Sequence, residues 1–300
     1  MHILDKFDIQ RHFFSDPFPH VIIEDCLDDD LYSLLDKNFP DNEQFKPKIK
    51  EENQPYWIMG SDLRNLSEVW SNFIDEHLSQ RFYDKAVEII SPFMADLDPS
   101  YVENLGKELK DCSFDLAEFG RGNNHKNKES DIVISVALGI NTPCTTRSVI
   151  DPPHNDFPNK LFNSLLYMRR DEDDSYGGDL TLFQTGKKYV FTSKSEELYE
   201  VDQKYLKEIK TVKYSKNVLV LFPQKINAIH GVTARGPTQH TRRYININME
   251  SYVLKRKTFF ETPRSTLGSL KFNMIRIFAI EKFKNLIRPF YRKILILLKS

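Results

Sequence analysis

From about Asp131 onward the apolar residues come in short runs separated by turn residues: "DIVISVALGI", "FNSLLYM", "DLTLF", "KYVFT", "NVLVLF", "INAIHGV" and "RRYININMESYV". Short runs rich in aliphatic, β-branched and aromatic residues predict strands, and several in succession predict an antiparallel sandwich or barrel. Upstream the texture differs. "PFPHVIIE" at 17–24 predicts a strand, and "DDDLYSLLDKNF" after it places aspartates where they cap a short helix. Residues 61–113 are largely helical in pattern, with apolar positions three and four apart in "SEVWSNFIDEHLSQRFYDKAVEIISPFMADL". The stretch "GRGNNHKNKESD" at 120–131 is a polar loop, and the sequence holds no internal repeat. The pattern predicts an α+β unit, a helical N-terminal part at about 25–113 followed by a β-rich core.

Composition adds three constraints. At 300 residues and 40% hydrophobic content the chain can bury a sizeable core. Cys26, Cys112 and Cys144 are too few and too widely spaced for a disulfide framework or a zinc pattern, so a reducing, cytoplasmic setting is expected. The opening "MHILDKFDIQRHFF" interrupts its apolar residues with charges, which argues against a secretion signal. No apolar run approaches the roughly 20 residues of a membrane span.

The net charge of -1 conceals an asymmetry. Residues 264–300 carry nine Lys/Arg against the single acid Glu281, a net +8, which leaves 33 basic and 42 acidic residues, or -9, on residues 1–263. In this tail Phe272, Ile275, Phe278, Ile280, Phe283 and Ile287 are interleaved with Lys and Arg, the pattern of a basic amphipathic pair of helices. Docking on the acidic remainder or on a protein partner ranks ahead of peripheral contact with an anionic membrane. Nucleic acid is not expected, because no basic-aromatic stacking platform is evident.

The candidate chemistry begins in "PPHNDFPNK" at 152–160. With 8 histidines and 43 acidic residues in 300, about one His-x-acid triplet is expected by chance, so His154-Asn155-Asp156 means little alone. His230, in "INAIHGV", is the other histidine on a late strand. Two imidazoles and a carboxylate from separate strands form the facial triad of non-haem Fe(II), which leaves coordination positions open for a co-substrate and O2. The commonest electron donor for this triad is 2-oxoglutarate, whose distal carboxylate needs a buried guanidinium. Arg242 and Arg243 lie 12 and 13 residues after His230. Alternation places Arg243 with Ile245 and Ile247 and Arg242 with Tyr244, Asn246 and Asn248, which favours Arg243, on the apolar face, as the anchor.

With these residues in order, the sequence resembles the Fe(II)/2-oxoglutarate-dependent oxygenases, and among them the prolyl-4-hydroxylase-like group. The resemblance covers about 130–253 and is carried by "HND", "LLYM", "YGGDLTLF", "NVLVLFP", "HGV" and "RRYININ"; "PFPHVIIEDCLDDDLYSLLDKNFP" is similar to the N-terminal part of bacterial members. It implies a double-stranded β-helix, a jelly-roll, within an oxygenase domain spanning 1–263. It further implies His154, Asp156 and His230 as iron ligands, Arg243 as the 2-oxoglutarate anchor, and Tyr167 as a second hydrogen-bonding partner of the same carboxylate. The implied cofactors are Fe(II), 2-oxoglutarate and O2, with ascorbate as a further candidate. The stretch "ARGPTQH" between His230 and Arg243 is longer than in relatives, so the choice between Arg242 and Arg243 stays open. Asp156 is intact, whereas related halogenases lack this carboxylate, so the resemblance is to a hydroxylase.

The remaining candidates have plainer readings. Gly177 and Gly178 shape a turn. His240 sits in a Gly/Pro/Gln loop and is a poor rival to His230, and His20 and His77 read as surface or structural histidines. Lys160 and Arg147 flank the expected mouth, where an anionic substrate could meet them, but solvated charges are the simpler expectation. The helical N-terminal region reads as a lid over a small-molecule pocket, so the expected substrate is a small molecule or biosynthetic intermediate. A prolyl or other protein side chain is the alternative, and a non-catalytic jelly-roll binding module is a third reading.

Overall fold

The structure is a computed structural model, and it describes residues 1–45, 52–94, 105–116, 130–149, 151–156, 160–186, 191–194 and 198–251. The basic tail at 264–300 and most of the polar loop at 120–131 lie outside the described residues. The chain begins with a helical turn, α1 (Ile9–His12), strands β1 (Phe13–Phe14) and β2 (His20–Ile23), helix α2 (Asp29–Lys37) and strand β3 (Pro55–Met59). Helices α3 (Glu68–His77) and α4 (Gln80–Met94) follow, then β4 (Phe114–Leu116), β5 (Ile132–Asn141), β6 (His154–Asp156) and β7 (Lys160–Met168). The last strands are β8 (Leu180–Thr185), β9 (Phe191–Lys194), β10 (Leu198–Val201), β11 (Leu206–Val212), β12 (Lys216–Pro223), β13 (His230–Val232) and β14 (Arg242–Glu250).

The local chemistry explains the helix boundaries. Asp28 stands at the N-cap of α2 but its carboxylate pairs with Lys6 at 3.1 Å instead of capping. Asp29 and Asp30, in the first turn, still complement the helix dipole. The helical pattern of 61–113 breaks at Leu78 and Ser79, where the Ser79 hydroxyl accepts the Phe82 N–H at 3.2 Å and starts α4.

The strands form two sheets, so the molecule is mixed α+β with extensive antiparallel pairing, compatible with a jelly-roll core. One sheet runs β1-β2-β12-β7-β14-β5-β3, with β4 alongside β5, and the other runs β11-β8-β13-β6-β10-β9. Along the chain β5, β7, β12 and β14 join the larger sheet while β6, β8, β11 and β13 join the smaller one. The central strands of the larger sheet are buried on both faces. Its outer face, with Leu138, Ile245 and Ile247, packs in one cluster with Trp70, Phe82 and Tyr83 of the helices. Each such fully buried side chain contributes about 1.5–3 kcal/mol. The described helices therefore pack on the outer face of the core.

The inner face forms a second cluster that includes Tyr167, Leu182, Tyr214, Val220, Phe222 and Tyr244. Gly139 lets the Tyr244 ring lie across β5, because a Cβ there would fall 2.3 Å from its Cε2. Among the described residues no helix is long and apolar enough to cross a membrane.

Candidate metal centre

Strand alternation puts His154 and Asp156 on one side of β6 and Asn155 on the other. In the smaller sheet β13 pairs with β6, and the register sets His230 directly opposite His154. The imidazole centroids are 4.4 Å apart, and the Nε2 atoms of His154 and His230 lie 3.9 and 3.8 Å from the Asp156 carboxylate oxygens. One ligand atom from each of the three residues can be chosen so that all lie within 4.8 Å of one another.

Backbone carbonyls orient both rings. His154 Nδ1 lies 2.7 Å from the Pro152 carbonyl and His230 Nδ1 3.1 Å from the Ala228 carbonyl. With Nδ1–H donating to a carbonyl, the Nε2 lone pair of each ring is left for a metal. Burial, and next the neighbouring His154, push the His230 imidazole down to about 4, which keeps it neutral and ligand-competent near pH 7. The ring of Phe222, 4.8 Å from His230, links the cluster to the inner apolar core.

At the start of β14 the two arginines part. Arg242 turns to the inner face, its Nη2 3.4 Å from the Tyr167 hydroxyl, its Nη1 3.0 Å from Asn141 Oδ1 and its Nε 2.9 Å from the Gly178 carbonyl. Its guanidinium carbon is 5.1, 5.3 and 4.9 Å from the ring centroids of Tyr167, Tyr214 and Tyr244. Arg242 is buried, and among the described residues it makes no ion pair. Burial pushes the Tyr167 hydroxyl up, so the phenol keeps its proton and can donate.

Arg243 turns to the outer face. It pairs with Asp36 of α2, donates from Nε to the Met168 carbonyl at 3.1 Å, and lies 4.6 Å over the Phe39 ring. Arg242, not the expected Arg243, is thus the arginine that meets Tyr167. The alternation reading grouped Arg243 with Ile245 and Ile247 correctly, but that apolar face is the one the helices cover. The face that lines the interior between the sheets carries the more polar set.

Gly177 and Gly178 support this arginine. Both have φ of +75°, which glycine adopts readily. A Cβ on Gly178 would stand 3.1 Å from Arg242 Cδ, and one on Gly177 would stand 2.0 Å from the Ala234 carbonyl oxygen. The turn therefore brings the Gly178 carbonyl against Arg242.

Arg235, which sequence reading missed, is buried in the long "ARGPTQH" connection, donating to the Thr142 carbonyl at 2.9 Å and to that of His240. Its signal was only the length of that connection. Lys160 is buried, not solvated, with Nζ 3.2 Å from Asp156 Oδ2, whereas Arg147 is exposed. His240 lies 3.5 Å from Asp174, outside the metal cluster. His20 and His77 are buried, held by the Phe18 carbonyl at 2.8 Å and the Phe73 carbonyl at 2.6 Å.

The fold and site define a class: antiparallel sheets that hold a cluster of two buried histidines and a half-buried carboxylate. No protein-family model and no curated protein matches the chain. Among solved structures it is similar to a prolyl 4-hydroxylase of Phytophthora capsici, at 15% identity and TM-score 0.42, over 78% of this chain and 59% of that one. It is also similar to a prolyl-4-hydroxylase of Pseudomonas putida, at 13% identity and TM-score 0.37, over 81% of this chain and 95% of that one. A 2OG-Fe(II) oxygenase family oxidoreductase of Burkholderia pseudomallei is similar at 10% identity and TM-score 0.40, over 81% of this chain and 88% of that one.

Proposed function

We propose that this chain is a non-haem Fe(II)- and 2-oxoglutarate-dependent dioxygenase that hydroxylates an unactivated C–H bond. The observation that carries the reading is the His154/Asp156/His230 cluster, its ligand atoms within 4.8 Å of one another. The donor set fits Fe(II): two neutral imidazole nitrogens and one carboxylate, with each ring's other nitrogen held by a backbone carbonyl. With Fe(II) and 2-oxoglutarate bound, the chemistry supplied is oxidative decarboxylation by O2, giving succinate and CO2 and placing one oxygen atom on the substrate carbon.

The protein's own part is placement. Arg242, a buried cation without a carboxylate partner among the described residues, and the protonated Tyr167 would hold the distal carboxylate of 2-oxoglutarate. In this reading Arg242 takes the role expected of Arg243. Phe222 and the inner apolar cluster keep water from the metal side of the interior. The passage of the chain back and forth between the two sheets, with β5, β7, β12 and β14 in one and β6, β8, β11 and β13 in the other, supports a double-stranded β-helix.

The catalytic unit in this reading is residues 1–263, and the basic tail 264–300 is a docking or recruitment segment. The substrate is a small molecule or biosynthetic intermediate, with a prolyl or other protein side chain as the alternative. Substrate-dependent succinate formation tests all of this. Small-molecule and prolyl-peptide panels separate the two substrate classes, and a chain that binds Fe(II) but forms no succinate with either would refute the catalytic reading.

A further inference from the structure

Lys160 opens β7 and is buried, with its Nζ 3.2 Å from Asp156 Oδ2 and 3.0 Å from Asn163 Oδ1. An ammonium can only donate, so Asn163 must present its oxygen to it. The Asn163 amide nitrogen then donates to Gln224 Oε1 at 2.7 Å. Gln224 Nε2 donates to Asn155 Oδ1 and, at 3.0 Å, to the Asp156 carbonyl. Asn155 Nδ2 ends the row on the carbonyls of Lys225 and Ile226, at 2.7 and 2.8 Å. Every amide is oriented from both ends, by a group that can only donate and by carbonyls that can only accept. The row ties β6 and β7 to Gln224, just past β12, and to the turn that leads into His230.

We propose that Lys160 is a positioning residue for the metal centre: its ammonium engages one oxygen of the Asp156 carboxylate, Oδ2, and so disfavours chelation of the metal through both oxygens. This rests on the reading of His154, Asp156 and His230 as metal ligands. A carboxylate free at both oxygens can chelate and fill a second coordination position. One whose second oxygen is held by an ammonium fills only one, leaving room for a co-substrate that binds through two atoms. The amide row holds the Lys160 ammonium through Asn163 and the Asp156 backbone carbonyl through Gln224. Without such a partner, a buried ammonium would be strongly disfavoured.

The test uses the full chain loaded with Co(II) in place of iron and titrated with 2-oxoglutarate without O2. The wild type is expected to bind one Co(II) and to change its visible spectrum on adding 2-oxoglutarate. Lys160→Met is expected to give a different Co(II) spectrum before co-substrate is added and to bind 2-oxoglutarate about 10-fold more weakly. Lys160→Cys treated with bromoethylamine, which rebuilds a lysine-like ammonium, is expected to recover both. A Lys160→Met spectrum and 2-oxoglutarate Kd within twofold of wild type, or a folded, aminoethylated chain that recovers neither, overturns the proposal. Wild type that binds no Co(II) overturns the metal-centre reading instead. If the variants do not fold, a structure of the Co(II)-loaded wild type decides: one Asp156 oxygen on the metal with the other on Lys160 supports the proposal, and chelation by both oxygens refutes it.

Discussion

Arg242 and Tyr167 share the inner face of the larger sheet, the guanidinium carbon 5.1 Å from the phenol ring centroid and Nη2 3.4 Å from its hydroxyl. Arg243, one residue on, reaches the opposite face and pairs with Asp36. The two adjacent arginines therefore sit in different surroundings, and substitution tests the separate roles proposed for them.

Arg242→Met is expected to weaken 2-oxoglutarate binding on the order of 100-fold, because truncating one member of a buried charged pair costs about 2–5 kcal/mol. Arg243→Met should leave that affinity within twofold. Its effect is on stability, a loss of about 1–2 kcal/mol given that Asp36 is 32% exposed and partly solvated. Calorimetric 2-oxoglutarate titration beside urea unfolding of both variants checks the division; equal loss of affinity in the two would contradict it.

Gly178→Ala tests the turn that carries the arginine's carbonyl partner. The added methyl meets Arg242 Cδ at 3.1 Å, and the φ of +75° is unfavourable to alanine by about 1–2 kcal/mol. The expected result is a several-fold rise in the KM for 2-oxoglutarate with metal affinity unchanged. Gly177→Ala, facing a backbone oxygen at 2.0 Å, should lower Tm further than Gly178→Ala does.

His77 gives a pH dependence away from the metal. Its Nε2 accepts the Ile3 N–H at 3.1 Å, and burial pushes its imidazole from 6.5 down to about 3. The folded chain refuses a proton that the unfolded chain takes up, so this contribution is complete above pH 6.5 and is lost as pH falls towards 3. Urea unfolding of the metal-free chain should show this as a slope of about 1.4 kcal/mol per pH unit from this one group. In His77→Gln the slope between about pH 4 and 6 should be shallower by one proton; an unchanged slope would show that His77 does not carry it.

Much of this was legible in the sequence, for physical reasons. His154, Asp156 and His230 could be read because metal ligation restricts residue type and the strands fix their order. The runs that became β5, β7 and β12 are buried on both faces, so they appear as nearly continuous apolar text, and β14, also buried on both faces, alternates. That double burial also misled the choice of arginine, since "apolar face" does not identify the inner one when helices cover the outer. The β11 run "LKEIKTV" is largely exposed and alternates weakly, so it gave no strand signal. Lys160 reads as a surface charge in sequence because its burial depends on Asn163, which bonds it, and on Gln224, which bonds Asn163 from 64 residues beyond Lys160. Only the folded register brings them together.

The proposed function requires that one cluster bind Fe(II) and present it to 2-oxoglutarate. Its most direct test is an anaerobic optical titration of the Fe(II)-loaded chain with 2-oxoglutarate, run on wild type and His230→Ala. The expected result is a charge-transfer band that saturates at one equivalent in wild type and is absent in His230→Ala. A wild-type chain that holds stoichiometric Fe(II) yet develops no band, or a band of equal strength in His230→Ala, would contradict it.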